Sequence, residues 1–93
     1  MATVVFGDFE WDDHKAASNR RKHGVSFEEA STVFADAESL VKADNTTPDR
    51  FHIVGMSAIA RVLTVVHIER GPRVRIISAR KATKHEKTRY END

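Results

Sequence analysis

The spacing of apolar residues changes character near Glu38. Before that point, Phe27, Ala30, Val33 and Phe34 recur at helical intervals; after it, apolar and polar residues alternate in short runs. The first half opens with Trp11-Asp12-Asp13, which reads as a helix entry. Asp12 suits the N-cap, where its oxygens accept orphan amide hydrogens, and Asp13 suits the positive end of the dipole. The basic residues of HKAASNRRKH gather at the far end, and Gly24 tolerates the left-handed conformation of a C-terminal cap. A first helix is therefore predicted over about 13–23, with Ala16 and Ala17 on a small inner face. Ser26-Phe27-Glu28-Glu29 is a capping box that starts a second helix over about 27–35. With Gly24 and Val25 between them, the two are predicted to form a helical hairpin.

From Ser39 the pattern is that of strands. Residues 39–42 read as a short one, and Asp44–Asp49 as a polar turn segment whose mobile part is Thr46–Asp49. Phe51, Ile53 and Gly55 alternate with His52, Val54 and Met56 in a second strand. RVLTVVHIE, residues 61–69, is the most β-rich run, and Arg70–Arg73 turns it into a fourth strand over 74–79. Thr83-Lys84-His85-Glu86 is another capping box and begins a final helix over about 84–91. The expected fold is a single α+β domain spanning 1–93, ordered α-α-β-β-β-β-α. Short connections predict an antiparallel four-stranded sheet, with the helical hairpin on one face. Phe6, Phe9, Trp11, Phe27, Phe34 and Phe51 are expected as core and rim, not a base-stacking platform; Phe9 and Trp11, on an extended N-terminal arm, are the only two of them with a route to exposure.

Composition adds boundaries. With 40% hydrophobic and 31% charged residues the chain reads as soluble and globular. It has no cysteine, which excludes disulfides and thiolate metal sites. His14 and His23 lie nine apart, not at the spacing of a helical zinc pair, and the histidines at 52, 67 and 85 form no cluster by spacing, so no metal is expected. The opening segment lacks a basic region ahead of an apolar run, and no stretch is long enough to cross a bilayer. The expected compartment is the cytoplasm. Charge is the sharper clue. Residues 1–60 carry 6 Lys/Arg against 10 Asp/Glu, whereas residues 61–90 carry 9 against 2. Either the second half faces an anionic partner, or these are solvated faces of sheet and helix.

FEWDDHKAASNRRKHGVSFEEASTVF at the front and RVLTVVHIERGPRVRIISARKATKHEKTRY at the back resemble the BrnT family, toxins of type II toxin–antitoxin pairs. The resemblance runs from Phe9 to about Tyr90 and is most specific in Lys22–Ala30 and Arg75–Thr83. It implies a RelE-like ribonuclease fold and a metal-independent endoribonuclease that needs no cofactor and halts growth by cutting RNA. It also implies a BrnA-like antitoxin with a ribbon-helix-helix DNA-binding half, a hetero-oligomeric complex, and promoter DNA bound only through that antitoxin. Arg61, Arg80, Glu86 and Tyr90 match the family's active-site region.

The chemistry is coherent with those residues. Metal-free RNA cleavage uses the ribose 2′-OH as nucleophile, and it needs a base, an acid and positive groups around the phosphate. Arg61 and Arg80 are assigned to the phosphate, since a guanidinium fork matches two of its oxygens. Glu86 or His67 is the candidate base; His67 shares an alternation class with Arg61. Tyr90, one helical turn beyond Glu86, is assigned to proton donation or base stacking. Lys81, Lys84, Lys87 and Arg75 are assigned to diffuse phosphate contacts. Each has a structural alternative. Glu86 is also the capping-box carboxylate, Tyr90 an anchor for the last helix, and His67 a half-buried strand residue. Arg61 and Arg80 have Glu69 or the antitoxin as alternative partners. A non-catalytic binding module, or a degenerate toxin that keeps only antitoxin binding, is the competing reading of the whole.

Overall fold

A computed structural model describes residues 2–92; Met1 and Asp93, the ends of the expected domain, lie outside the described residues. The elements are β1 (Thr3–Phe6), β2 (Phe9–Asp12), α1 (Asp13–His23), α2 (Phe27–Thr32) with a 3₁₀ turn (Val33–Ala35), β3 (Leu40–Ala43), β4 (Arg50–Met56), β5 (Val62–Arg70), β6 (Arg73–Lys81) and α3 (Lys84–Asn92). The strands form one six-stranded sheet in the order β1-β2-β6-β5-β4-β3. The β3–β4–β5–β6 meander is antiparallel as expected. The four-stranded, wholly antiparallel RelE-like plan is nevertheless overturned. The segment expected as an extended N-terminal arm folds into a hairpin, with Gly7 at φ +61 in its turn, and β2 lies parallel to β6. Apolar contact drives this: Trp11 is 2% exposed and meets Phe27 edge-on at 5.8 Å, while Phe9 meets Phe34 at 5.1 Å. No helix among the described residues is long and apolar enough to cross a membrane.

One sheet face carries α1 and α2. Its core joins Trp11, Val25, Phe27, Ala30, Val33, Ile53, Leu63, Val65, Ile76 and Ala79. Ile76 and Ala79 are three apart, so strict alternation would send them to opposite faces. A bulge resolves this. Val66 pairs with Ser78 but His67 with Ile76, leaving Ile77 as the extra residue. Both apolar side chains then enter the core, and Arg75, Ser78 and Arg80 share the opposite face.

The local signals hold in part. Ser26 Oγ accepts from Glu29 N at 3.0 Å, and Gly24 caps α1 at φ +68. Asp12 occupies the N-cap position of α1 but its side chain makes no capping bond. Ala17 is exposed, and Asn19 goes inward instead. The Asn19 amide donates to Val25 O (3.1 Å) and Ala79 O (2.7 Å) and accepts from Ala79 N (3.1 Å), tying α1 to β6. Thr46–Asp49, expected to be mobile, is held by Asp44, whose Oδ2 accepts from Thr46 N, Thr46 Oγ1 and Thr47 N.

Replacing Asn19 by Ala strands buried backbone groups, each worth about 1–3 kcal/mol. The expected loss is about 2–4 kcal/mol in urea unfolding, with unchanged strand content by circular dichroism.

Candidate active site

The face opposite the helical layer carries α3, and there the sequence has built one tight cluster. Thr64 and Arg80 are cross-strand partners on β5 and β6. The α3 capping box places Glu86 directly over them. Glu86 N donates to Thr83 Oγ1 at 3.1 Å, and Glu86 Oε1 accepts from Thr83 N at 2.8 Å. The same carboxylate accepts from Arg80 Nη1 (2.8 Å), Arg80 Nη2 (3.0 Å) and Thr64 Oγ1 (2.9 Å). Thr64 is fully buried. The two readings of Glu86 are therefore not exclusive, since one side chain caps the helix and grips the arginine.

Arg80 is held end-on. Nη1 and Nη2 face Glu86, and Nη1 also reaches Lys81 O at 3.3 Å. A guanidinium has five donors. The Nε–H and the second Nη2–H form a parallel side-on pair, unclaimed among the described residues. The side chain is 37% exposed.

Beside the cluster lies a polar hollow of about 400 Å³, lined by Lys42, Ala43, Asp44, Asn45, Thr46, His52, Arg80 and Glu86. A second hollow of about 200 Å³ adjoins it under α3 and shares Lys42, His52 and Glu86, adding Leu40, Val41, Val54, His85 and Arg89. His52 Nε2 stands 2.6 Å from Asp44 Oδ1. Lys42 and His52 are cross-strand partners of the β3–β4 hairpin. Sequence reading missed Lys42, Asp44, His52, His85 and Arg89 as a group. The available signal was the hairpin itself, whose register puts 42 and 52 side by side.

The other expected site residues lie elsewhere. Arg61 belongs to the helix-covered side. Its Nε donates to Glu29 Oε2 (2.9 Å), and its Nη2 donates to Gly24 O (3.0 Å) and to Glu29 Oε1. Ser57 Oγ donates to the same carboxylate at 2.7 Å. This network clamps the start of β5 to α2 and the α1 cap. His67 does share Arg61's side, but it is buried between Phe34 (4.8 Å) and Phe51 (6.0 Å), its Nδ1 unpartnered. The expected convergence of Arg61 and His67 with Arg80 and Glu86 does not occur, because the sheet separates the pairs. Tyr90 does share α3's inner face with Glu86, but its hydroxyl donates to Asp36 Oδ2 at 2.5 Å, and Asp36 Oδ2 also accepts from Met56 N. Arg75 lies on the Arg80 face with its charge taken by Glu10 at 2.6 Å. Lys81, Lys84 and Lys87 are exposed. Among the described residues no three His, Asp or Glu side chains cluster as a cation site.

Electrostatics follow the contacts. The Arg80 guanidinium, assisted by Thr83 N–H and Thr64 O–H, holds Glu86 down at about 2 from an ordinary 4.5, and Glu86 in turn raises Arg80. The hydrogen bond to Asp36 holds Tyr90 up at about 12. The bond from His52, backed by the Thr47 and Thr46 amides, holds Asp44 well below the carboxylate range. Arg61 lowers Glu29, and burial lowers His67.

The same architecture occurs in a bacterial toxin nuclease. The crystal structure of the Brucella abortus ribonuclease toxin, BrnT, matches with a TM-score of 0.65 at 25% identity, covering 80% of this chain and 94% of that one. Residues 11–86 match the sequence profile of the ribonuclease toxin BrnT of type II toxin–antitoxin systems. The chain belongs to that family. No curated protein sequence gives a significant match.

Between pH 2 and 4.5 the unfolded chain binds the Glu86 proton while the folded chain does not. The pairing therefore stabilises the fold above pH 4.5, and the gain is lost as pH falls through about 2. Glu86→Gln is expected to cost about 2 kcal/mol at pH 7, after solvent screening, and almost nothing at pH 2. Urea unfolding of both proteins across that range measures the difference.

Proposed function

We propose that this chain is a metal-independent endoribonuclease that cuts RNA at the Arg80 cluster. The ribose 2′-OH attacks the adjacent phosphate and the 5′-oxygen departs, leaving a cyclic phosphate. The observation that carries this reading is the presentation of Arg80. Its end-on fork is fixed by a carboxylate, its side-on N–H pair has no partner among the described residues, and the residue lines a polar hollow. A phosphate in that hollow would receive two parallel N–H bonds from a donor that needs no rearrangement, which is the arrangement that favours charge developing on phosphate oxygens. Lys42 and Arg89 line the hollows and add positive charge, and the exposed Lys81, Lys84 and Lys87 supply diffuse attraction for the RNA backbone.

Within this reading Glu86 acts through Arg80. A carboxylate held near 2 by a guanidinium is a weak proton acceptor at neutral pH, so its contribution is to fix the fork. Tyr90, with its phenol committed to Asp36, anchors α3 over the sheet. Arg61 serves the fold, closing β5 onto α2. A ribbon-helix-helix antitoxin of the BrnA kind neutralises the toxin in the cytoplasm and carries the pair to promoter DNA.

The test is purified protein with an RNA oligonucleotide in EDTA. Cleavage is expected, blocked by a 2′-deoxy substitution at the cut site. Arg80→Ala, with its fold verified, is expected to lose at least about 100-fold in rate, the typical scale for one transition-state donor. Arg61→Ala is expected to lower thermal stability while the folded fraction keeps most of its activity. RNA bound tightly but left intact, or full activity in Arg80→Ala, overturns the reading.

A further inference from the structure

We propose that His52, oriented by Asp44, is the general base that removes the 2′-OH proton in this chain. The inference rests on the ribonuclease reading and supplies the group that reading lacks. Glu86 is neutralised by Arg80, and His67 lies on the far side of the sheet. His52 lies on the near side. Its partner across the β4–β5 ladder is Val66 and that of Arg80 across β5–β6 is Thr64, so the two share a face, offset by two residues on the strands that flank β5. Strand spacing and rise put their Cα atoms roughly 12 Å apart. Both side chains line the same 400 Å³ hollow, so a nucleotide whose phosphate meets Arg80 has its ribose toward His52.

Asp44 is built to hold that ring. Its Oδ2 accepts three hydrogen bonds, from Thr46 N (3.0 Å), Thr46 Oγ1 (3.1 Å) and Thr47 N (2.8 Å). The carboxylate is thereby locked, and Oδ1 is left for His52 Nε2 at 2.6 Å. The loop does not need this bond to close, since Asp44 N donates to Arg50 O and Arg50 N to Thr47 O regardless. A carboxylate facing Nε2 fixes that nitrogen as the N–H and leaves the lone pair on Nδ1. His52 is 23% exposed, accessible to substrate yet held in one orientation.

The step balances as follows. Nδ1 takes the 2′-OH proton while the 2′-oxygen forms its bond to phosphorus and the bond to the 5′-oxygen breaks with its electron pair. The 5′-oxygen takes a proton from solvent water, and the hydroxide so formed recovers the proton from the imidazolium. The products are a 2′,3′-cyclic phosphate and a 5′-hydroxyl, with no net change in protons.

The experiment compares the full-length wild type with His52→Ala, His52→Gln and Asp44→Asn on one RNA oligonucleotide, each melted to verify folding. His52→Ala is expected to lose about 100-fold or more in kcat, with partial recovery when imidazole is added. His52→Gln, which fills the space without a basic nitrogen, is expected to be as slow. Asp44→Asn keeps an oxygen for the Thr46 and Thr47 amides but turns an NH₂ toward Nε2. That drives the ring proton to Nδ1 and blocks the base, so kcat is expected to fall about 10-fold or more with KM unchanged. A folded His52→Gln that cuts at the wild-type rate overturns the assignment, as does a His52→Ala loss that imidazole leaves untouched. A wild type that cuts no RNA overturns the ribonuclease reading itself, and this inference with it.

Discussion

The carboxylate of Glu86 is the point through which the rest of the site is connected. It accepts hydrogen bonds from the helix-opening amide of Thr83, the buried hydroxyl of Thr64 and both terminal nitrogens of Arg80. Those donors come from β5, from β6 and from the turn into α3. None would be satisfied at this place by an apolar residue, and a carboxylate without the guanidinium would carry an uncompensated charge over a sheet. The helix docks because the arginine is there, and the arginine is aimed because the helix docks. Tyr90 on Asp36 makes a second attachment one turn later. A helix with no buried residue of its own is in this way held by two polar contacts.

The bulge at Ile77 is what lets one strand serve both layers. Ile76 and Ala79 go to the apolar side, and Arg75, Ser78 and Arg80 to the polar side. The chain thereby separates its two sets of ionic contacts. Arg61, Glu29 and Ser57 brace the helical layer, while Arg80, Glu86, Asp44 and His52 gather on the other side. Placement of the arginines relative to the sheet decides which of them meets solvent at the hollow.

Much of this was legible in the residues, and what was not has physical causes. The caps at Ser26, Gly24 and Thr83 are local, and local chemistry fixed them. The meander strands alternate plainly and have short turns. The β1–β2 hairpin was missed because VVFGDFEW has too few residues to signal strands. Its pairing to β6 is decided by Trp11 and Phe9 meeting Phe27 and Phe34, contacts no spacing rule anticipates. Arg80 and Glu86 were found together because the capping box and the strand end fix both. Arg61 was misplaced because alternation gives its side of the sheet but says nothing of Glu29 waiting there. His52 and Asp44 went unnoticed because a hairpin register was needed to see Lys42 and His52 as neighbours, and a loop geometry to bring Asp44 back to β4.

The parallel seam between β2 and β6 also governs when the molecule comes into being. Glu10 and Arg75, which meet across it, are 65 residues apart. Closing so long a loop carries an entropic cost that is repaid only once the last strand exists. A nascent chain therefore holds its N-terminal hairpin without a neighbour until β6 has been made. The strand that completes the seam is also the one that carries Arg80, so the guanidinium takes its place in the sheet only when the two ends of this long loop meet.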